Sequence, residues 1–157
     1  MSKATSLKAK DIMQSQVISL RPDMSLKQAA QLFSECKISG APVIDNDLKI
    51  VGVLSQTDLL RHAVESEEHT YFHHGFYHEL PLVAGNAFLT DEQFGAKTVE
   101  DLMSPYVITA SPEDSVAALA RSLREHRFHR LIVAENRKLV GIVTTLDLLQ
   151  ILEDLEH

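Results

Sequence analysis

Apolar positions along the chain change period in a regular order, and that order occurs twice. The run Val17-Ile18-Ser19-Leu20 is rich in residues that favour extended backbone and stops at a turn holding Pro22, which predicts a first strand. Leu26, Ala29, Ala30 and Phe33 then fall at helical spacing, behind Ser25 and Gln28 at the spacing of a capping box. Two further strands are predicted over Ala41 to Ile44 and Ile50 to Leu54, joined through Asp45-Asn46-Asp47, whose side chains favour turns. A helix follows Ser55. The second pass repeats the scheme: a strand at Val107-Ile108-Thr109, a cap position at Ser115, and a helical stripe at Val116, Leu119, Ala120 and Leu123. Strands Leu131 to Ala134 and Leu139 to Val143 flank Glu135-Asn136-Arg137, and a helix follows Thr144. Each pass reads β-α-β-β-α.

The two passes also agree in residue identity. Asp11-Ile12-Met13 returns as Asp101-Leu102-Met103, and Val17-Ile18-Ser19 as Val107-Ile108-Thr109. Ile50-Val51-Gly52-Val53-Leu54-Ser55 returns as Leu139-Val140-Gly141-Ile142-Val143-Thr144, and both copies run on to Asp-Leu-Leu at Asp58 and Asp147. Ordered agreement of this length defines an internal repeat. The fold class expected is α/β: repeats over 8–64 and 97–154, related by a pseudo-twofold axis and packed sheet to sheet, with an insert over 65–96. Each repeat alone would leave an apolar sheet face uncovered, so the copies are expected to cover each other and to hold a ligand at their junction.

Composition narrows the function classes. The chain has 157 residues, 45% hydrophobic and 24% charged, ordinary values for a globular domain. A formal charge of −7 disfavours a general nucleic-acid binder, which needs a basic face to neutralise phosphate. No run of 18 apolar residues predicts a membrane span and no leader pattern opens the chain, so a cytoplasmic location without a membrane partner is expected. The single cysteine, Cys36, falls in the apolar helical pattern and is expected to be a buried thiol. Nucleophile elbow, Walker loop and dinucleotide fingerprint are all missing from the sequence, so no catalytic residues are assigned and an enzyme is not expected.

The paired stretches Gly52-Val-Leu-Ser-Gln-Thr-Asp58 and Gly141-Ile-Val-Thr-Thr-Leu-Asp147, with the openings Asp11-Ile-Met13 and Asp101-Leu-Met103, resemble the CBS-domain family in its tandem arrangement, the Bateman module. The resemblance covers about residues 8–64 and 97–152. It implies a non-catalytic regulatory module that forms a homodimer and binds AMP, ADP, ATP, S-adenosylmethionine or a related adenosine ligand, with no required cofactor. It also implies an unidentified regulated protein as a partner.

Physical chemistry gives the Ser/Thr-x-x-Asp element of each repeat a task. Ser55 and Thr144 stand where a strand turns into a helix, so backbone N–H groups and the helix dipole there attract anions such as phosphate. Asp58 and Asp147 lie one turn on, and a carboxylate can accept from both ribose hydroxyls. The same pattern also serves as a helix cap with no ligand, and both readings stay open here. The resemblance implies that His129-Arg130 faces ligand phosphates, for which a guanidinium fork is suited, whereas a solvated helix end is the alternative. The first repeat has Ser39-Gly40-Ala41-Pro42 at the aligned positions and lacks that cation, so the two sites should be unequal. Val17, Ile18, Ser19, Val107, Ile108 and Thr109 are candidates to flank adenine. Gly40, Ala41, Pro42, Thr57 and Leu131 complete the candidate set.

The 65–96 insert holds Tyr71, Phe72, Phe76, Tyr77, Phe88 and Phe94, too many aromatics for a floppy linker, and is expected to be partly ordered. His69/His73 and His74/His78 have helical metal-binding spacing but no accompanying motif, so no metal site is assigned. The Leu148, Leu149, Ile151, Leu152 run is too apolar for a solvent-facing helix and favours a homodimer.

Overall fold

The computed structural model describes residues 6–63, 76 and 96–156. Along the described chain the elements are α1 (Ala9–Ile12), α2 (Leu26–Cys36), β1 (Gly40–Ile44), β2 (Ile50–Ser55), α3 (Gln56–Ala63), α4 (Val99–Leu102), β3 (Thr109–Ala110), α5 (Val116–His126), β4 (Arg130–Glu135), β5 (Lys138–Thr144) and α6 (Thr145–Leu155). The fold is mixed α/β, with the two passes of the repeat visible in the order of elements. The histidine pairs, and the aromatics of the insert other than Phe76, lie outside the described residues.

The described residues form two compact units whose borders do not follow the repeats. One is drawn from 18–107, the other from 1–17 together with 108–157. Each unit thus contains the segment that opens the other repeat.

In the 18–107 unit, α2 starts where its cap predicts: Ser25 Oγ accepts from the Gln28 N–H at 3.1 Å, and Gln28 Oε1 accepts from the Ser25 N–H at 3.0 Å. The helix buries Leu26, Ala29, Ala30 and Phe33, each worth about 1.5–3 kcal/mol when the side chain is as large as Leu or Phe. It ends at Lys37 in the left-handed conformation, φ 54°. Strands β1 and β2 pair antiparallel, Gly40 opposite Ser55 and Val43 opposite Gly52. Asp45 Oδ1 accepts from the N–H groups of Asp47 and Lys49 and so fixes the turn between them.

The strand expected at Val17 to Leu20 is reduced to a single parallel bridge, Leu20 to Val43. The Leu20 N–H donates to the Pro42 carbonyl, and the Ile44 N–H to the Leu20 carbonyl. The next rung of a parallel ladder would need the N–H of residue 42, which proline lacks. The aligned Ile132 keeps its donor, and there β3 does form, with Thr109 opposite Ile132 and Ala110 opposite Val133.

The Asp-x-Met openings explain the strand glycines. Asp101 accepts from the Thr98 N–H at 2.8 Å and caps α4; that bond lowers its pKa. Immediately after α4, Ser104 exchanges two backbone hydrogen bonds with Val53, both 2.9 Å, adding a bridge beside β2. This approach needs a residue without Cβ at Gly52, where an added carbon would stand 2.7 Å from both the Ser104 carbonyl oxygen and Met103 Sδ.

The 1–17 plus 108–157 unit is built alike around the sheet β3-β4-β5. Its α5 is capped by Ser115 Oγ and ends at left-handed Arg127, φ 56°. Gln14 exchanges backbone hydrogen bonds with Ile142, both 2.9 Å, and Met13 lies against Gly141. Lys8 and Lys10 pair with Glu113; the Lys10 hydrogen bond, then that of Lys8, holds the Glu113 carboxyl down to about 2. The cluster is solvent-exposed, so its contribution to stability is small.

One expectation needs correction. Cys36 is exposed, because it is the last residue of α2, where the buried stripe has ended at Phe33. On α6, Ile151 is buried, and the exposed large apolar side chains are Leu146, Leu149, Leu152 and Leu155.

Candidate functional site

In the 1–17 plus 108–157 unit the candidate residues gather at one end of the sheet. Thr144 is the last residue of β5 and the cap of α6, so the strand delivers its hydroxyl to the helix N-terminus. Its N–H and Oγ1–H donate to Asp147 Oδ2 at 2.7 and 3.0 Å, and Oγ1 accepts from the Asp147 N–H at 3.3 Å. Arg130, the first residue of β4, stands directly opposite Thr144. The Thr145 N–H donates to the His129 carbonyl at 2.9 Å, fastening the start of α6 to the start of β4. Thr109 lies on the neighbouring β3, opposite Ile132. Leu131 is buried beneath, whereas His129 is exposed and Arg130, Thr144 and Asp147 are half-buried.

The 18–107 unit forms the same junction with a different lining. The Ser55 N–H and Oγ–H both donate to Asp58 Oδ2 at 2.9 Å, and Ser55 Oγ accepts from the Asp58 N–H at 3.2 Å. Gly40 takes the place of Arg130, opposite Ser55, and the Gln56 N–H donates to the Ser39 carbonyl at 2.8 Å. Gly40, Ala41, Pro42, Ser55 and Asp58 are buried, Ser19 and Thr57 half-buried, and Ile18 exposed. Asp58 and Ser55 are thus far less accessible than Asp147 and Thr144.

The three-residue stretches expected to flank adenine are not kept whole. The division between units falls between Val17 and Ile18, and between Val107 and Ile108. Ile18 and Ser19 therefore group with Gly40 and Ser55, and Ile108 and Thr109 with Arg130 and Thr144, while Val17 and Val107 fall in the opposite units.

Two neighbours of the aspartates were not legible as site residues. Gln14 Nε2 donates to Asp147 Oδ1 at 3.3 Å from a segment 133 residues away. Arg61 Nη1 stands 3.8 Å from Asp58 Oδ1, a pairing that its position three residues along the helix could have signalled. Each aspartate therefore uses one oxygen as a cap and turns the other toward a hydrogen-bond donor or a cation.

Among the described residues no group of three or more His, Cys, Asp or Glu is placed to hold a metal ion. Among the same residues no helix is long and apolar enough to cross a membrane.

The profile of the CBS domain matches residues 9–65 and 99–154, the two passes of the repeat. The chain belongs to the CBS domain family. An uncharacterised Methanocaldococcus jannaschii protein, MJ1426, is 33% identical over 151 residues, covering 91% of this chain and 89% of its own length. The chain spans less than half the length of other curated relatives, 41%, 22% and 42% of them. Among solved structures, CBSX2 in complex with AMP superposes with a TM-score of 0.71 at 26% identity, covering 96% of this chain and 98% of that one. The CBS domain pair of MJ0100, in complex with 5′-methylthioadenosine and S-adenosyl-L-methionine, superposes with a TM-score of 0.66 at 21% identity, covering 94% and 97%. This chain is a CBS pair of the same fold.

Proposed function

We propose that this CBS pair is a non-catalytic regulatory module that binds an adenosine-containing nucleotide, of the AMP, ADP, ATP or S-adenosylmethionine type, at its strand–helix junctions. The observation that carries the reading is the register of Arg130 with Thr144 at the N-terminus of α6. The register brings an arginine and a threonine together at a helix N-terminus, residue types whose chemistry suits a phosphate. Asp147, one turn along, has the chemistry to accept from ribose hydroxyls. Ile108 and Thr109 on the adjacent strand are the adenine-side candidates, with Ile18 and Ser19 in the first repeat. The ligand bound by CBSX2 is of the same class. The module needs no cofactor; it acts in the cytoplasm on an unidentified protein partner.

The chain is further proposed to act as a homodimer. Leu146, Leu149, Leu152 and Leu155 of α6 are 63%, 56%, 60% and 43% exposed, apolar surface that association would cover.

Thermal melts with a panel of adenosine nucleotides test both statements. A ligand selective for the native state raises the melting temperature by mass action, by about 2.7 kcal/mol of stability at 100 times its Kd. AMP or ATP should raise it and a pyrimidine nucleotide should not. In ligand-free protein the melting temperature should rise with protein concentration if a dimer dissociates on unfolding. Melts indifferent to every adenosine ligand would favour a ligand-free scaffold, in which the completed Ser55–Asp58 and Thr144–Asp147 hydrogen bonds are caps alone. Melts independent of protein concentration would count against the dimer.

A further inference from the structure

Phe76 belongs to the insert, which neither repeat accounts for, yet it is only 1% exposed and is packed at the first repeat's junction. The contact is specific in place. A carbon added at the Cβ position of Gly40 would stand 3.1 Å from Phe76 Cδ2, so the ring lies against the backbone of the residue opposite Ser55. The aligned position in the second repeat is Arg130, opposite Thr144. One junction therefore presents a guanidinium stem at this position, and the other a phenyl ring over a glycine. The Leu54 carbonyl oxygen is also 3.1 Å from the added carbon, so a side chain at 40 would be tightly held between the strand and the ring.

The consequence for a ligand is loss of hydration as well as steric exclusion. A phosphate at the first junction would have to give up water beside an apolar ring that offers no hydrogen bond in return. The nearby cation of this junction, Arg61, is already directed at Asp58. Ser55 and Asp58 are themselves buried, at 0% and 7% exposure, so their hydroxyl and carboxylate are closed to solvent at this junction.

We infer that Phe76 is a specificity-determining residue of the CBS pair: its ring occupies the phosphate side of the first-repeat junction and closes that junction to phosphorylated adenosine ligands, leaving the second repeat as the AMP site. This rests on the nucleotide-binding reading above.

Calorimetric titration of the full chain with AMP separates the two. Wild type should bind a single equivalent per chain, lost in Asp147→Ala. Phe76→Ala should gain a second equivalent, and Phe76→Ala/Asp147→Ala should keep that one alone. A wild type that binds two equivalents overturns the inference while the nucleotide-binding reading stands, and this result needs no variant. A Phe76→Ala protein with a native melt and still one equivalent overturns it as well. A wild type that binds none removes the nucleotide-binding reading itself, and this inference with it. Should Phe76→Ala fold poorly, Phe76→Trp keeps the ring and places an indole in a chain that has no other tryptophan. Its emission should be that of a buried indole and stay unchanged through AMP saturation; a red shift on AMP addition would show the ring yielding to ligand and overturn the exclusion.

Discussion

Gly52→Ala is expected to destabilise the chain by about 2–4 kcal/mol and Gly141→Ala by about 1 kcal/mol, although the two glycines are equivalent in sequence. The difference follows from what the new methyl meets. At Gly52 it comes within 2.7 Å of the Ser104 carbonyl oxygen, which belongs to a backbone held by two hydrogen bonds to Val53. Relief requires moving that backbone, and the bridge gives up roughly 0.5–1.5 kcal/mol per bond in addition to the strain. At Gly141 the two nearest atoms, Sδ at 2.5 Å and Cγ at 2.8 Å, both belong to the flexible side chain of Met13, and the nearest backbone atom, the Gln14 carbonyl oxygen, is 3.1 Å away. The thioether can swing aside. Urea denaturation reads the difference as a larger fall in midpoint for Gly52→Ala at similar slope. Equal losses, or the reverse order, would contradict the account of how the Asp-x-Met segments dock.

Arg130→Ala should weaken AMP and ATP by about 10-fold to 150-fold, the equivalent of 1.5–3 kcal/mol for one charge-assisted hydrogen bond, while adenosine loses little. Adenosine lacks the phosphate but retains the ribose, so the contrast isolates the guanidinium's partner. Arg130 is the first residue of β4 and half-buried, so its stem is fixed by the strand and little ordering is left for the ligand to impose. Equal losses for adenosine and AMP in calorimetry would return Arg130 to a structural role. The salt dependence should follow the same division: binding of AMP weakens with ionic strength in wild type more than in Arg130→Ala.

Much of each repeat could be read from local pattern because its determinants are local. Ser25 with Gln28, Ser115, and the Asp45 turn each act over two to four residues, and each does what its spacing predicts. The strand bounds extend the expected ones by a residue or so for the same reason: alternation fades at the ends. The failures are long-range. Asp11-Ile-Met13 looks like the start of its own repeat, but its docking partner is the glycine of the other, and a helical or strand period carries no record of a partner so distant along the chain. The missing first strand turned on one absent N–H at Pro42, visible in the sequence only once the parallel register is known. Likewise α6 is apolar on more than one side, so the run Leu148 to Leu152 could not say that Ile151 faces the core and Leu149 the solvent.

The candidate site divides in the same way. Thr144 with Asp147 and Ser55 with Asp58 were legible because the motif sits within one turn. The sequence left open whether they cap or bind. The geometry shows the cap formed on Oδ2 in both, with Oδ1 of Asp147 facing Gln14. Gln14 carried no signal, since it belongs to no motif and reaches Asp147 from far away in the chain, and Phe76 was marked only as one of six aromatics of the insert, with no place assigned to it.

Asp147 joins the cap to the proposed ribose contact, and its replacement tests nucleotide binding most directly. Loss of the cap costs about 1 kcal/mol, small enough for the fold to persist, so affinity can be measured on native protein. Titration calorimetry of wild type and Asp147→Ala with adenosine and with AMP should show both ligands weakened by at least about 10-fold in the variant, because both carry the ribose. Unchanged affinity for both, in a variant with a native melt, would leave Asp147 a helix cap and contradict the assignment of this junction as the nucleotide site.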